Sequence, residues 1–338
     1  MKQSKKLLVI GREGLIERYT PDSSVYAGYE VTCVPVGTPE ADILAVGKDA
    51  EYMICDAIAK VSGSLIRQLP NLKIIHSNGV AFNQIDVEAA KEQKIYVCNC
   101  KGMNAVAVAE QAVLLMTGLL RGVVTGDQAL RNGRQIQVKE GYMAAGSLME
   151  LGECTVGLVG FGDIARATAR LLGAYGATVY YYDMFRGTAG VEREYGVEYR
   201  ELDQLLVLSD IVSLHVPVTK DTQNMADAAF LAKMKKGAFL INTARGELVD
   251  EAALLEGIRS GHIAGAGLDT ITAEPVAADH PMLMAEPEVE EKILFSCHIG
   301  GITGASFCRG YEMIWADFAK VAAGEKPGHV VNAWEKSH

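Results

Sequence analysis

Long apolar runs are absent from this chain; none approaches the ~20 residues that a membrane-spanning helix needs, so no membrane partner is expected. Positive charge is short as well. Lys and Arg number 32 against 42 Asp and Glu, a formal net charge of −10. That sign repels phosphate backbones and excludes nucleic acid as a partner. An anionic ligand must then be caught by a few placed cations and by backbone N–H groups. The seven cysteines are odd in number and lack framework spacing, so reduced thiols in a cytoplasmic protein are expected. Cys98-Asn99-Cys100 is the one close pair, and without a second Cys or His pair beside it no metal site is expected. The basic opening, Met1 to Lys6, leads only into Leu7-Leu8-Val9-Ile10, a first strand too short for a signal peptide. Internal repeats and low-complexity tracts are missing too.

What is present reads as an α/β protein. A length of 338 residues suits roughly two domains. Short β-branched or apolar runs predict strands over 6–10, 30–34, 52–55, 72–76 and 95–98, with helices such as 63–69 and 87–93 between them. Residues 105–121, small and apolar with no breaker before Gly118, predict an interdomain helix whose faces are mostly covered. A second series over 155–159, 178–182, 211–214, 238–242, 265–269 and 293–296 suits a doubly wound sheet of six strands. A last helix over 306–323 returns to the first domain, which is therefore discontinuous, 1–104 plus 302–338, around a second domain at 105–301. The expected fold is two Rossmann-like or flavodoxin-like doubly wound parallel-sheet domains with a cleft between them.

The strand over 155–159 runs into Gly160-Phe161-Gly162-Asp163-Ile164-Ala165 and then a helix over 164–175. Gly160 permits a sharp turn, Gly162 a close backbone approach to a pyrophosphate, and Ala165 tight helix–strand packing. The helix start at Asp163 and Ile164 offers unpaired N–H groups to the phosphates. Asp183 stands about twenty positions on, placed to accept from the adenosine ribose. A carboxylate there also repels a 2′-phosphate. Two charges ~4 Å apart cost between ~1 kcal/mol in water and ~4 at a partly buried surface, enough to decide for NAD. Arg186, three residues on, softens that preference in this reading.

Three later strands each end in a residue with chemical potential: Arg245; Asp269 with Glu274; and His298 before Gly300-Gly301. In open α/β sheets ligands bind outside the carboxyl ends of strands, so these residues are expected to converge. Singly, each is as readily a surface charge, a loop acid or a helix cap. Together they supply an acid–base group, its carboxylate partner and a cation, a combination suited to hydride transfer.

Four ordered motifs then carry a resemblance. Leu214-His215-Val216-Pro217-Val218-Thr219, Asn242-Thr243-Ala244-Arg245-Gly246-Glu247-Leu248-Val249-Asp250, the Asp269-to-Glu274-Pro275 spacing and His298-Ile299-Gly300-Gly301 are similar to segments of the D-isomer-specific 2-hydroxyacid dehydrogenases. The resemblance covers most of the chain. It implies that His298 donates a proton to a keto oxygen, that Glu274 supports it, and that Arg245 holds the substrate carboxylate. It also implies substrate contacts from Asn78, Gly79, Val80 and Asn104. Cofactor contacts come from Val108, Gly160, Gly162, Asp163, Ile164, Asp183, Val216, Pro217, Thr243, Ala244, Asp269 and Gly300, with NAD as cofactor and a homodimer paired through the 105–121 helix.

Departures narrow the substrate. Asp56 and Ser77 stand where the phosphoglycerate dehydrogenase branch carries arginines, and Glu274 where formate dehydrogenases carry glutamine. Ala81, Lys101 and Cys297 also replace the usual glycine and prolines. The resemblance thus implies an NAD-dependent oxidoreductase acting on an unphosphorylated 2-keto or D-2-hydroxy acid. The alternatives are a phosphoglycerate dehydrogenase-like enzyme and an NAD-sensing, corepressor-like scaffold of the same fold.

Overall fold

The computed structural model describes residues 4–332. It forms two compact units, Met1–Asn104 with Ile302–His338, and Ala105–Gly301.

The first unit is built on five parallel strands: β1 (Lys5–Ile10), β2 (Tyr29–Val34), β3 (Tyr52–Cys55), β4 (Ile74–Ser77) and β5 (Tyr96–Cys98). Their spatial order is β2-β1-β3-β4-β5, the flavodoxin-like doubly wound arrangement. Every residue of β3 and β4 is buried, as befits central parallel strands covered on both faces. β4 begins two residues later than the apolar pattern suggests. Leu72 is still in the turn, its N–H bonded to the Leu69 carbonyl, so a continuous apolar run hides the boundary. The helix Gly63–Arg67 is shorter than expected because Pro70 disfavours helical geometry just ahead of it. The long helix Gly304–Ala322 belongs to this unit. Its Tyr311, Ile314, Trp315 and Phe318 join Leu7, Val9, Tyr52, Ile54 and Ile74 in one core, and Trp315 donates to the Thr20 hydroxyl at 2.8 Å.

The second unit holds seven parallel strands, not six: β6 (Thr155–Val159), β7 (Thr178–Tyr182), β8 (Glu198–Tyr199), β9 (Ile211–Leu214), β10 (Ala238–Asn242), β11 (Ile263–Leu268) and β12 (Ile293–Phe295). Their order is β12-β11-β10-β9-β6-β7-β8, so the chain reverses direction across the sheet between β6 and β9. β8, two residues at the sheet edge, carries no apolar alternation for a sequence pattern to register. Helix Ala105–Leu120 packs on the inner strands and on helix Asp163–Tyr175, yet Val106 and Leu114 are 49% and 58% exposed. The faces are mostly covered, as expected, and one narrow stripe through Val106, Glu110 and Leu114 is open. Two further helices follow, Val123–Arg131 and Gln135–Ala145, reached through Gly122 at φ +55°, where a side chain would strike Tyr142. Among the described residues no single helix is long and apolar enough to cross a membrane.

Candidate active site

The glycine turn sits at the reversal between β6 and β9, where open α/β sheets bind ligands. Gly160 adopts φ +94°, and a Cβ on it would lie 2.7 Å from the His215 carbonyl oxygen and 2.8 Å from Val216. Only glycine permits that approach. A Cβ on Gly162 would meet nothing within 4 Å, so the turn opens outward there. Helix Asp163–Tyr175 starts at Gly162 with no side-chain cap, leaving its first N–H groups for an anion. Asp183, at the end of β7, accepts from Phe161 N–H at 2.7 Å and from Phe185 N–H at 2.9 Å. The carboxylate therefore ties β7 to the glycine turn. Arg186 does not soften its field. Its guanidinium is committed to Glu192 at 2.9 and 3.3 Å and lies over the Tyr199 ring. His215, just past β9, is pushed down to about 4 by burial, so a neutral imidazole stands behind the turn, 2.9 Å from the Ser213 hydroxyl.

The His298–Glu274 contact is assembled around Asp269, buried just past β11. Its Oδ1 accepts from the Ser296 hydroxyl at 2.5 Å and from Ile299 N–H at 3.0 Å, and its Oδ2 from Gly300 N–H at 2.9 Å. Gln111 donates to Ser296 at 3.0 Å. Gly300 is pressed close, since a Cβ there would lie 2.9 Å from Asp269 Oδ2. This bracing holds His298 at φ +55°, a left-handed conformation that most side chains avoid, with His298 N–H donated to the Asp269 carbonyl at 2.8 Å. His298 Nδ1 meets Glu274 Oε2 at 2.6 Å. A carboxylate only accepts, so Nδ1 carries the proton and Nε2 is the atom left to act.

Arg245 follows β10 on a turn organised by Asn242. The Asn242 side chain accepts from Ala244 N–H at 3.0 Å and donates to the Arg245 carbonyl at 2.7 Å. A Cβ on Gly246 would sit 2.2–2.4 Å from the Ile271–Thr272 backbone, so the arginine turn and the loop leading to Glu274 touch backbone to backbone. Gly246→Ala is expected to separate them, lowering turnover at least tenfold and the melting temperature by several degrees. Steady-state kinetics and a thermal melt check both. The Arg245 side chain is exposed and bonds only to the Ala244 carbonyl; among the described residues it has no carboxylate partner. Two buried hydroxyls beside these loops, Thr243 Oγ1 and Thr270 Oγ1, have no hydrogen-bond partner among the described residues.

Of the other expected residues, Val108 is buried on helix Ala105–Leu120, and Val216, Pro217 and Ala244 line the strand ends. Asn78, Gly79, Val80 and Asn104 belong to the first unit. Asn78 N–H is given to the Cys55 carbonyl at 2.9 Å and Gly79 N–H to Ser77 Oγ at 3.3 Å, which leaves Val80 N–H as the donor of the three without an acceptor among the described residues. Sequence reasoning missed Asn242, Ser296 and Gln111 as organisers. The signal for Asn242 was there, an asparagine two residues ahead of a turn amide; for Gln111, 185 residues from Ser296, there was none.

An uncapped helix start, an outward-opening glycine, a tethered acid and an orphaned threonine hydroxyl fit a dinucleotide. A sheet wound in this order, with a histidine–carboxylate contact past its strand ends, is the frame of nicotinamide-dependent dehydrogenases, and the second unit is of that class. Residues 113–300 match the profile of "D-isomer specific 2-hydroxyacid dehydrogenase, NAD binding domain". A glyoxylate reductase of Thermofilum pendens is 36% identical over 285 residues, 84% of this chain and 82% of that one. The solved NAD complex of a D-isomer-specific 2-hydroxyacid dehydrogenase from Lactobacillus delbrueckii ssp. bulgaricus superimposes with a TM-score of 0.83 at 27% identity, covering 97% of this chain and 100% of that one. The apo D-mandelate dehydrogenase of Rhodotorula graminis gives 0.83 at 25% identity, with 98% of each covered. The chain belongs to the D-isomer-specific 2-hydroxyacid dehydrogenase family.

Proposed function

We propose that the chain interconverts an unphosphorylated 2-keto acid and its D-2-hydroxy acid with NAD(H). The single observation that carries this reading is the His298–Glu274 contact, which leaves Nε2 as the working proton donor beside the turn that presents a free Arg245. When bound, the nicotinamide supplies or accepts the hydride. The residues proposed to hold the cofactor are Val108, Gly160, Gly162, Asp163, Ile164, Asp183, Val216, Pro217, Thr243, Ala244, Asp269 and Gly300. His298 Nε2 protonates the keto oxygen in reduction and takes the proton back in oxidation. Glu274 fixes the ring orientation and holds the proton on Nδ1. Arg245 clamps the substrate carboxylate through its planar fork of donors. Asn78, Gly79, Val80 and Asn104 are proposed to complete substrate binding, which makes 1–104 with 302–338 the substrate domain.

Four further points support the reading. Ser77 Oγ is spent on the Ala81 carbonyl at 2.6 Å, and Asp56 adds negative charge directly after Cys55, the residue that pairs with Ser77 across β3 and β4, so a phosphorylated acid is disfavoured. The seven cysteines are all unpaired, which suits the cytoplasm. Helices Val123–Arg131 and Gln135–Ala145 expose Val123, Leu130, Ile136 and Met143, apolar area suited to a homodimer interface. A cavity of about 530 Å³ lined by Ile271, Val276, Leu283 and Phe295 adjoins His298 and Glu274, room for an apolar substrate side chain. The test is a screen of glyoxylate, pyruvate, hydroxypyruvate, phenylpyruvate and branched 2-keto acids for NADH oxidation. Turnover of at least one supports the proposal; oxidation of NADH by none, with NAD still bound, supports the scaffold reading instead.

Cofactor choice is separately testable. Asp183→Ala removes the charge that repels a 2′-phosphate and also the acceptor for Phe161 N–H. NADH affinity is expected to fall and the NADH-to-NADPH ratio of kcat/KM to drop by roughly ten- to several-hundred-fold. An unchanged ratio would show that this acid does not govern the choice.

A further inference from the structure

The first unit contains a polar cluster that the chemistry above does not use. His76 lies in β4, Asp317 in helix Gly304–Ala322, and His329 in the segment beyond that helix. Asp317 Oδ2 is 3.3 Å from His76 Nε2 and 2.9 Å from His329 Nδ1. One donor atom from each of the three falls within 4.8 Å of the others. His76 and Asp317 are wholly buried, whereas His329 is 34% exposed.

The hydrogen bonds around the cluster limit what can occupy it. His76 Nδ1 lies 2.8 Å from the Ser77 carbonyl oxygen. A carbonyl only accepts, so that nitrogen carries the proton, and Nε2 of the neutral ring points a lone pair at a carboxylate. Such an arrangement, with both groups buried, calls for positive charge between them. A second proton on the ring would provide it, and so would a cation. The surroundings are those of metal ligands. A ligating histidine typically donates its other N–H to a backbone carbonyl, and a ligating carboxylate is itself hydrogen-bonded; here Gly328 N–H bonds Asp317 Oδ1 at 2.6 Å, leaving Oδ2 for the histidines. Tetrahedral zinc with bonds of ~2.0–2.2 Å places its ligand atoms roughly 3.3 Å apart. The two edges to Asp317, 3.3 and 2.9 Å, lie within a few tenths of an ångström of that, and the His76–His329 edge is no longer than 4.8 Å, to be closed by the partly exposed His329. Cys100 is near, but its thiol bonds the Ser77 and Gly310 carbonyls, so it is not counted as a ligand.

We propose that His76 Nε2, Asp317 Oδ2 and His329 Nδ1 form a divalent-metal site of the zinc type, completed by solvent on the His329 side. Its role is structural. It fastens β4 and the long helix to the following segment, whose Asn332 side chain bonds Val97 N–H at 2.8 Å and the Ile95 carbonyl at 2.9 Å.

The test uses full-length protein stripped with a chelator and titrated with zinc by calorimetry, and with cobalt(II) by visible absorption. The expected result is one metal per chain at micromolar concentration or below, tetrahedral cobalt bands, and a higher melting temperature with zinc. His329→Ala, at the most exposed of the three positions, should keep the circular dichroism of the wild type. It should weaken zinc binding by at least the ~10–100-fold seen when supporting residues of metal sites are lost. His76→Gln should do the same. Absence of binding to the wild type, or binding of unchanged strength in both variants, would overturn the site and leave only a His76–Asp317 contact.

Discussion

Replacing His298 is expected to reduce kcat by about 10²–10⁴-fold, the contribution of a positioned general acid, while NADH binding stays within a few-fold of wild type. Two substitutions separate chemistry from structure. Alanine at φ +55° is strained by roughly 1–2 kcal/mol, so His298→Ala should also melt earlier. Asparagine tolerates the left-handed region, so His298→Asn should retain the wild-type melting temperature and lose turnover all the same. Nδ1 keeps its own proton against Glu274 at 2.6 Å, which is the reason for assigning the transferred proton to Nε2. Near-normal turnover of the asparagine variant, read from single-turnover kinetics, would remove His298 as the acid.

Arg245→Ala is expected to raise KM for the keto acid by about 100-fold or more and to lower kcat as well. A charge-assisted, two-pronged contact to a carboxylate is among the stronger polar interactions available. The guanidinium here bonds only a neighbouring carbonyl, so it is free to make one. Arg245→Lys keeps the charge without the planar fork and should recover little. A KM unchanged in both variants would place the carboxylate elsewhere.

Much of this was legible because parallel α/β units concentrate their chemistry at strand ends, where short local motifs mark it. Gly160 is forced by a turn, and the spacing from Asp269 to Glu274 and the His298 turn are each written within a few consecutive residues. The flavodoxin-like and Rossmann-like sheets follow from apolar runs separated by helices. What stayed hidden depends on distant pairing or on weak patterns. β8 is two residues at an edge. The helices Val123–Arg131 and Gln135–Ala145 mix exposed apolar with polar residues and give no clean stripe. The His76–Asp317 contact joins positions 241 residues apart, beyond any spacing rule for metal ligands. Arg186 looked free in sequence because its partner, Glu192, lies on the next helix and meets it only in the folded turn.

The central claim is that His298, Glu274 and Arg245 direct a hydride to the keto carbon of a carboxylate-bearing substrate. It is tested most directly by reducing a 2-keto acid identified in the screen with NADH deuterated at the transferred position, and resolving the product by chiral chromatography and mass spectrometry. The account predicts the D-2-hydroxy acid carrying one deuterium on its hydroxyl-bearing carbon, formed about 10²–10⁴-fold more slowly with His298→Asn. The L enantiomer, product without deuterium, or product formed equally fast by the variant would contradict it.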